Sequence, residues 1–139
     1  MIGITAYGAY YPRGRLSKKA IADANAWFDA GLNAHAKGER AFCNWDEDTI
    51  TMGIEAAQNC LSSLPNSELS TLYLASTTFP FLDRQNSVLV SEALNLDSGV
   101  RTMDIAASQR VATSALIALL EAGHSKSGLL IASEHRKTK

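Results

Sequence analysis

The chain is poor in the residues that would staple it or span a membrane. Its 139 residues include only two cysteines, Cys43 and Cys60, and three histidines. The cysteines lie seventeen positions apart and share no ligand spacing with His35, His124 or His135, so neither a disulfide framework nor a zinc site is expected. Both thiols read as reduced and partly buried. No apolar run approaches the roughly 20 residues that cross a bilayer, and the longest strongly apolar helical stretch, residues 111–120, is about half of that. Neither sign of charge is in excess, with 13 Lys+Arg against 14 Asp+Glu and a formal net charge of -1. Without a basic face there is nothing to drive phosphate binding by counterion release, which argues against a nucleic-acid partner. The one basic cluster, His135, Arg136, Lys137 and Lys139, closes the chain and reads as a solvated end. The first residues run apolar and then basic, the reverse of a signal peptide, and the protein is expected in the cytoplasm with no membrane contact.

What the sequence has is alternation. With 46% hydrophobic residues and a length that buries about 70% of the unfolded surface, it supports one ordinary core. No low-complexity stretch or Pro/Gly-rich linker divides it, so residues 1–139 read as a single domain. Residues 2–11 predict a first strand, ended by Pro12 and Gly14. Ser17 then caps a helix with Leu16, Ile21, Ala24 and Trp27/Phe28 at helical spacing, and residues 31–45 read as a loop with at most a short helix. The acids Asp46, Glu47 and Asp48 precede a second helix with Ile50, Ile54, Ala57, Leu61 and Leu64 on one face, where they serve its exposed N–H groups, and Pro65 ends it. Strands are predicted at residues 72–76, 101–105 and 128–133, and further helices at 83–94 and 108–122.

Strands separated by helices at this spacing require crossovers and a mostly parallel sheet, so the expected class is α/β with the order βαβαβαβ. Two strands end alike, in Ala75-Ser76 and Ala132-Ser133, and small residues leave room at the C-terminal sheet edge where ligands bind in such folds. The last helix is apolar around nearly its whole circumference, from Val111 to Leu120. Such a helix needs cover on all sides, and one sheet cannot supply it, so a second half or a second subunit is required.

The runs Gly3-Ile4-Thr5-Ala6-Tyr7-Gly8-Ala9-Tyr10-Tyr11-Pro12-Arg13, Asn44-Trp45-Asp46-Glu47-Asp48-Thr49 and Ala75-Ser76-Thr77-Thr78-Phe79-Pro80-Phe81-Leu82-Asp83-Arg84-Gln85-Asn86 resemble the N-terminal half of hydroxymethylglutaryl-CoA synthase-like proteins of the thiolase superfamily. The resemblance implies half of a five-layer fold with a buried central helix, and an acyltransferase or condensing enzyme acting on coenzyme A thioesters with no covalently bound cofactor. It also implies a dimer or higher homo-oligomer, since the strand at 101–105 pairs with its twin in that superfamily, and a complex with a thiolase and a small OB-fold protein.

The family's nucleophile is a cysteine where the central helix begins, because helix N–H groups favour the thiolate. Matching the family's pattern at Thr113 puts Gln109 in that position, and glutamine forms no acyl-enzyme. The family's acid/base glutamate corresponds to Thr77, a hydroxyl that takes no proton unaided at neutral pH. The family's histidine comes from a C-terminal half. Gln109 has a second precedent in ketosynthase-like decarboxylases, where the amide donates to an enolate. Ser108 is an alternative nucleophile or, more plainly, the helix N-cap; Arg110 takes either Asp104 or a CoA phosphate as its partner. Two functions follow: an acyl-CoA-handling subunit, or a noncatalytic structural partner in a thiolase-type complex.

Overall fold

The computed structural model describes residues 2–64, 68–122 and 127–136, so Pro65, His124, Lys137 and Lys139 lie outside the described residues. These form two compact units, residues 11–47 and residues 1–10 with 48–139, and each is described by itself.

In the smaller unit, β1 (Gly14–Ser17) pairs antiparallel with β2 (Glu39–Phe42), Gly14 opposite Phe42 and Ser17 opposite Glu39. Helix α1 (Lys18–Asn25) follows with Ser17 at the N-cap position the sequence predicts, although its side chain makes no capping hydrogen bond, and a 3-10 turn spans Ala30–His35. Two expectations are corrected. Residues 31–45 contain β2, whose four residues are all exposed and therefore leave no apolar alternation to read. Trp27 and Phe28 lie beyond the end of α1, where they are exposed and meet edge to face at 5.9 Å instead of extending an apolar helix face.

In the larger unit, β3 (Leu69–Ala75) is the middle strand of a parallel three-stranded sheet ordered β4-β3-β5, with β4 at Arg101–Ile105 and β5 at Ser127–Ala132. Helices α2 (Thr49–Leu61), α3 (Asn86–Ala93) and α4 (Val111–Glu121) complete it. Leu72 and Leu74 of β3, Leu129 and Ile131 of β5, Ile50 and Ala57 of α2 and Val90 of α3 form one core, so α2 and α3 share a sheet face. A Cβ on Gly128 would stand 3.0 Å from Leu119 of α4. Position 128 points opposite to 129 and 131, which places α4 on the other face.

Helix α2 starts where the acidic triplet predicts. Asp48 accepts from the Thr51 N–H at 2.8 Å while Thr51 Oγ1 accepts from the Asp48 N–H at 2.8 Å, a reciprocal capping box. Helix α3 starts at Asn86, three residues later than predicted, because its first N–H groups are served from β4 by Asp104. Helix α4 is covered on one face by the sheet, with Val111 and Ala115 buried, while Ile117 on another side is 50% exposed. The second layer its composition calls for is not supplied by these residues. Residues 2–11 are not a strand: no ladder joins them to any described strand, although Gly8 packs so close to α2 that a Cβ there would stand 2.6 Å from the Ala56 carbonyl oxygen. Their apolar pattern is that of a strand, but a strand exists only beside a neighbour that accepts its hydrogen bonds.

Candidate functional site

The three parallel strands end together. The Ser76 N–H reaches the Ile105 carbonyl at 3.1 Å and the Ser133 N–H reaches that of Ala75 at 3.2 Å, so the ladder runs one residue past β3 and β5 before the chains diverge. Every sequence-predicted site residue lies just beyond this edge.

Thr77 is exposed, and its environment differs from the sequence expectation. The Thr77 N–H donates to Glu134 Oε1 at 2.8 Å, and the Thr77 and Thr78 hydroxyls donate to Oε2 at 2.8 and 3.3 Å. A carboxylate therefore stands beside Thr77, carried on the strand next door. No local motif marks Glu134, yet the matching Ala-Ser endings contain the signal. Ala75 pairs with Ala132, so the second residue after each, Thr77 and Glu134, must meet across the sheet edge.

Behind Thr77 lies a buried hydroxyl cluster. Thr49, in the first turn of α2, donates to the Thr78 carbonyl at 2.9 Å, the Thr78 N–H donates to Ser76 Oγ at 2.9 Å, and the His135 N–H donates to Thr78 Oγ1 at 2.9 Å. Thr49 and Ser76 are fully buried. This network ties α2, β3 and the exit of β5 into one support, which fixes Thr77 and Glu134 relative to each other.

The turn into α4 carries the other candidates. Ala107 has φ 90, in the left-handed region that a non-glycine residue adopts only under strain. Ser108, Gln109 and Arg110 follow, all exposed. Ser108 is not the N-cap of α4. Arg110 holds the cap position, and Ser108 works two residues earlier: its Oγ accepts from the Arg110 N–H at 3.1 Å and its carbonyl from the Val111 N–H at 3.1 Å. No hydrogen bond joins Gln109 to Thr77 or Glu134 among the described residues.

Asp104 is not the partner of Arg110. Its carboxylate accepts from the Asn86 and Ser87 N–H groups, both at 2.7 Å, and from Asn86 Nδ2 at 2.8 Å. Burial pushes the Asp104 carboxyl up, but the bonds from Asn86 and Ser87 outweigh it and hold the group below its ordinary value. Asn86 also bonds the Phe81 N–H and carbonyl, so Asp104 anchors the loop after Thr77 as well as α3.

Neither cysteine is an activated thiol. Burial pushes both up, assisted at Cys43 by the charge of Glu47. No cluster of metal-ligating side chains occurs among the described residues, and no helix among them is long and apolar enough to cross a membrane.

No protein-family model matches the chain. It is 29% identical over 143 residues to the hydroxymethylglutaryl-CoA synthase of Methanocaldococcus jannaschii, a match that covers 96% of this chain and 41% of that protein. The solved structure of MvaS in complex with 3-hydroxy-3-methylglutaryl coenzyme A superposes with a TM-score of 0.81 at 24% identity, covering 96% of this chain and 34% of that one. The curacin-pathway HMG synthase in complex with a holo donor acyl carrier protein gives 0.83 at 18% identity, with coverage of 96% and 34%. The chain thus spans about two fifths or less of the length of the proteins it matches. It is similar to the N-terminal part of hydroxymethylglutaryl-CoA synthase-like proteins and carries the thiolase-type condensing-enzyme fold.

Proposed function

We propose that this chain is the acyl-CoA-handling N-terminal part of a synthase-like condensing protein in which the covalent acyl-transfer step is disabled. The observation that carries this reading is the turn at residues 107–110. It sets Gln109 just before the head of α4, and the proposal takes that position as the one where the chemistry of the family needs a thiolate. A glutamine amide has no nucleophilic electron pair for a thioester carbonyl, but its NH2 donates hydrogen bonds, so it can hold a thioester oxygen or an enolate. Thr77 cannot replace a carboxylic acid. Its hydroxyl proton is directed at Glu134, which makes Glu134 the positioning residue for this corner and the nearest carboxylate to it.

The ligand this reading implies is a coenzyme A thioester, in line with the HMG-CoA held by MvaS, and the exposed guanidinium of Arg110 is the candidate partner for a CoA phosphate. A carrier-protein-bound acyl group presents the same thioester, as in the curacin-pathway complex. The second reading, a noncatalytic partner within a thiolase-type assembly, is favoured by the uncovered apolar side of α4 at Ile117.

Calorimetric titration of acetyl-CoA, with intact-mass spectrometry of the same sample, separates them. The proposal expects saturable binding weakened at least tenfold by Arg110→Glu, with no acetyl increment on the protein. Absence of binding by the intact chain favours the structural reading. A stable acetyl increment that vanishes on substituting Cys43, Cys60 or Ser108 overturns the disabled-nucleophile reading.

A further inference from the structure

The corner formed by Thr77 and Glu134 is unequal in its hydrogen-bonding groups. Both polar protons of Thr77 are engaged inside it, the N–H on Glu134 Oε1 and the hydroxyl on Oε2, each at 2.8 Å. The neighbouring backbone donors are engaged as well: the Thr78 N–H on Ser76 Oγ and the His135 N–H on Thr78 Oγ1, both at 2.9 Å. What remains for a ligand beside Thr77 is acceptor capacity. A hydroxyl that has donated its proton keeps its lone pairs, and an ionised carboxylate only accepts. With the Thr78 hydroxyl at 3.3 Å, three bonds fill three of the roughly four acceptor sites of Glu134, which leaves one open. Thr77 is exposed and Glu134 half-buried, and no salt bridge offsets the Glu134 charge among the described residues.

We infer that this corner selects the acyl group: it takes a short hydroxyacyl thioester and rejects a carboxyacyl one. The inference rests on the acyl-CoA reading above and names the substrate class of that same site. A ligand hydroxyl donates to the open site of Glu134, a charge-assisted bond stronger than a neutral one. An acyl group without a donor leaves that site facing apolar atoms, and one ending in a carboxylate brings like charge against Glu134 with no proton between them. The opposite end of the site has the complementary polarity, since the Gln109 amide donates to a thioester oxygen. In the order β4-β3-β5 the strand that leads to Gln109 and the strand that leads to Glu134 are two spacings apart, about 10 Å. That separation suits a short acyl chain with one hydrogen bond of about 3 Å at each end.

The test is calorimetric titration of the full chain with 3-hydroxybutyryl-CoA, butyryl-CoA and malonyl-CoA, which share the coenzyme and differ only in the acyl group. The hydroxyacyl thioester should bind about tenfold or more tighter than butyryl-CoA, and malonyl-CoA about tenfold or more weaker. Glu134→Gln, close to isosteric, removes the charge and should bring the three affinities to within about threefold of one another, while far-UV circular dichroism stays that of the unsubstituted chain. A purely structural role for Glu134 would shift all three affinities together and leave their ratios as they were. Equal affinities in the unsubstituted chain, tightest binding of malonyl-CoA, or ratios unchanged by Glu134→Gln overturn the inference and leave the acyl-CoA reading standing. Should the variant fail to fold, the ratios of the unsubstituted chain decide alone. Failure of all three thioesters to bind overturns the acyl-CoA reading and the inference with it.

Discussion

Asp104 shows how much of this site is held by single side chains. Its folded pKa is depressed, so the stability it contributes is fully present above the ordinary aspartate range and is lost as the pH falls through the lower folded value. Asp104→Asn should therefore flatten the acid limb of a stability-versus-pH curve measured by urea unfolding between about pH 5 and 2. Asp104→Ala should cost about 1–2 kcal/mol at neutral pH, because two N–H groups at the head of α3 lose their acceptor. At Ala107 the expected sign is opposite. With φ 90, glycine relieves the strain, and Ala107→Gly should stabilise the chain by about 1 kcal/mol in the same assay, whereas Ala107→Val should destabilise it. Glu134→Ala removes the shared acceptor of the Thr77 N–H and two hydroxyls, and because Thr77 is open to water a loss of only about 1 kcal/mol is expected by thermal or urea unfolding.

At the scale of elements, what was legible followed from local rules, and what was missed depended on neighbours far along the chain. The capping acids before α2, the apolar run of α4 and the short strand β4 each carry their own signal, and β4 spans the predicted residues 101–105. The start of α3 was misread because its cap comes from Asp104 on another element. The pairing of β1 with β2 was invisible because an exposed four-residue strand has no periodicity. Glu134 was missed because meeting Thr77 requires the register of β3 on β5, although the repeated Ala-Ser endings encode that register. Packing between α2 and the sheet is equally close. A Cβ at Gly53 would stand 3.1 Å from Ile131 Cγ2, so Gly53→Val should overpack the contact and cost about 1–3 kcal/mol by urea unfolding.

For the whole molecule, the open side of α4 and the edges of the three-stranded sheet are surfaces of the kind that promote association, and association is the expected outcome. Light scattering at micromolar concentration should give a particle above 14.9 kDa, and Ile117→Lys should move it toward that mass. The functional account depends on the head of α4. The proposal assigns Gln109, at the head of α4, to the position where a condensing enzyme of this fold needs a nucleophile, and Gln109→Cys places a thiol at that point. The decisive measurement is the rate of iodoacetamide alkylation of that thiol against pH, beside Cys43 and Cys60, whose thiols burial pushes up. The account predicts an accessible thiol with a lowered pKa, reactive near neutral pH where the native two are slow, because the free N–H groups and dipole of α4 stabilise its anion. A thiol at this position that reacts no faster than Cys43 and Cys60, or that is closed to reagent in the folded chain, would contradict it.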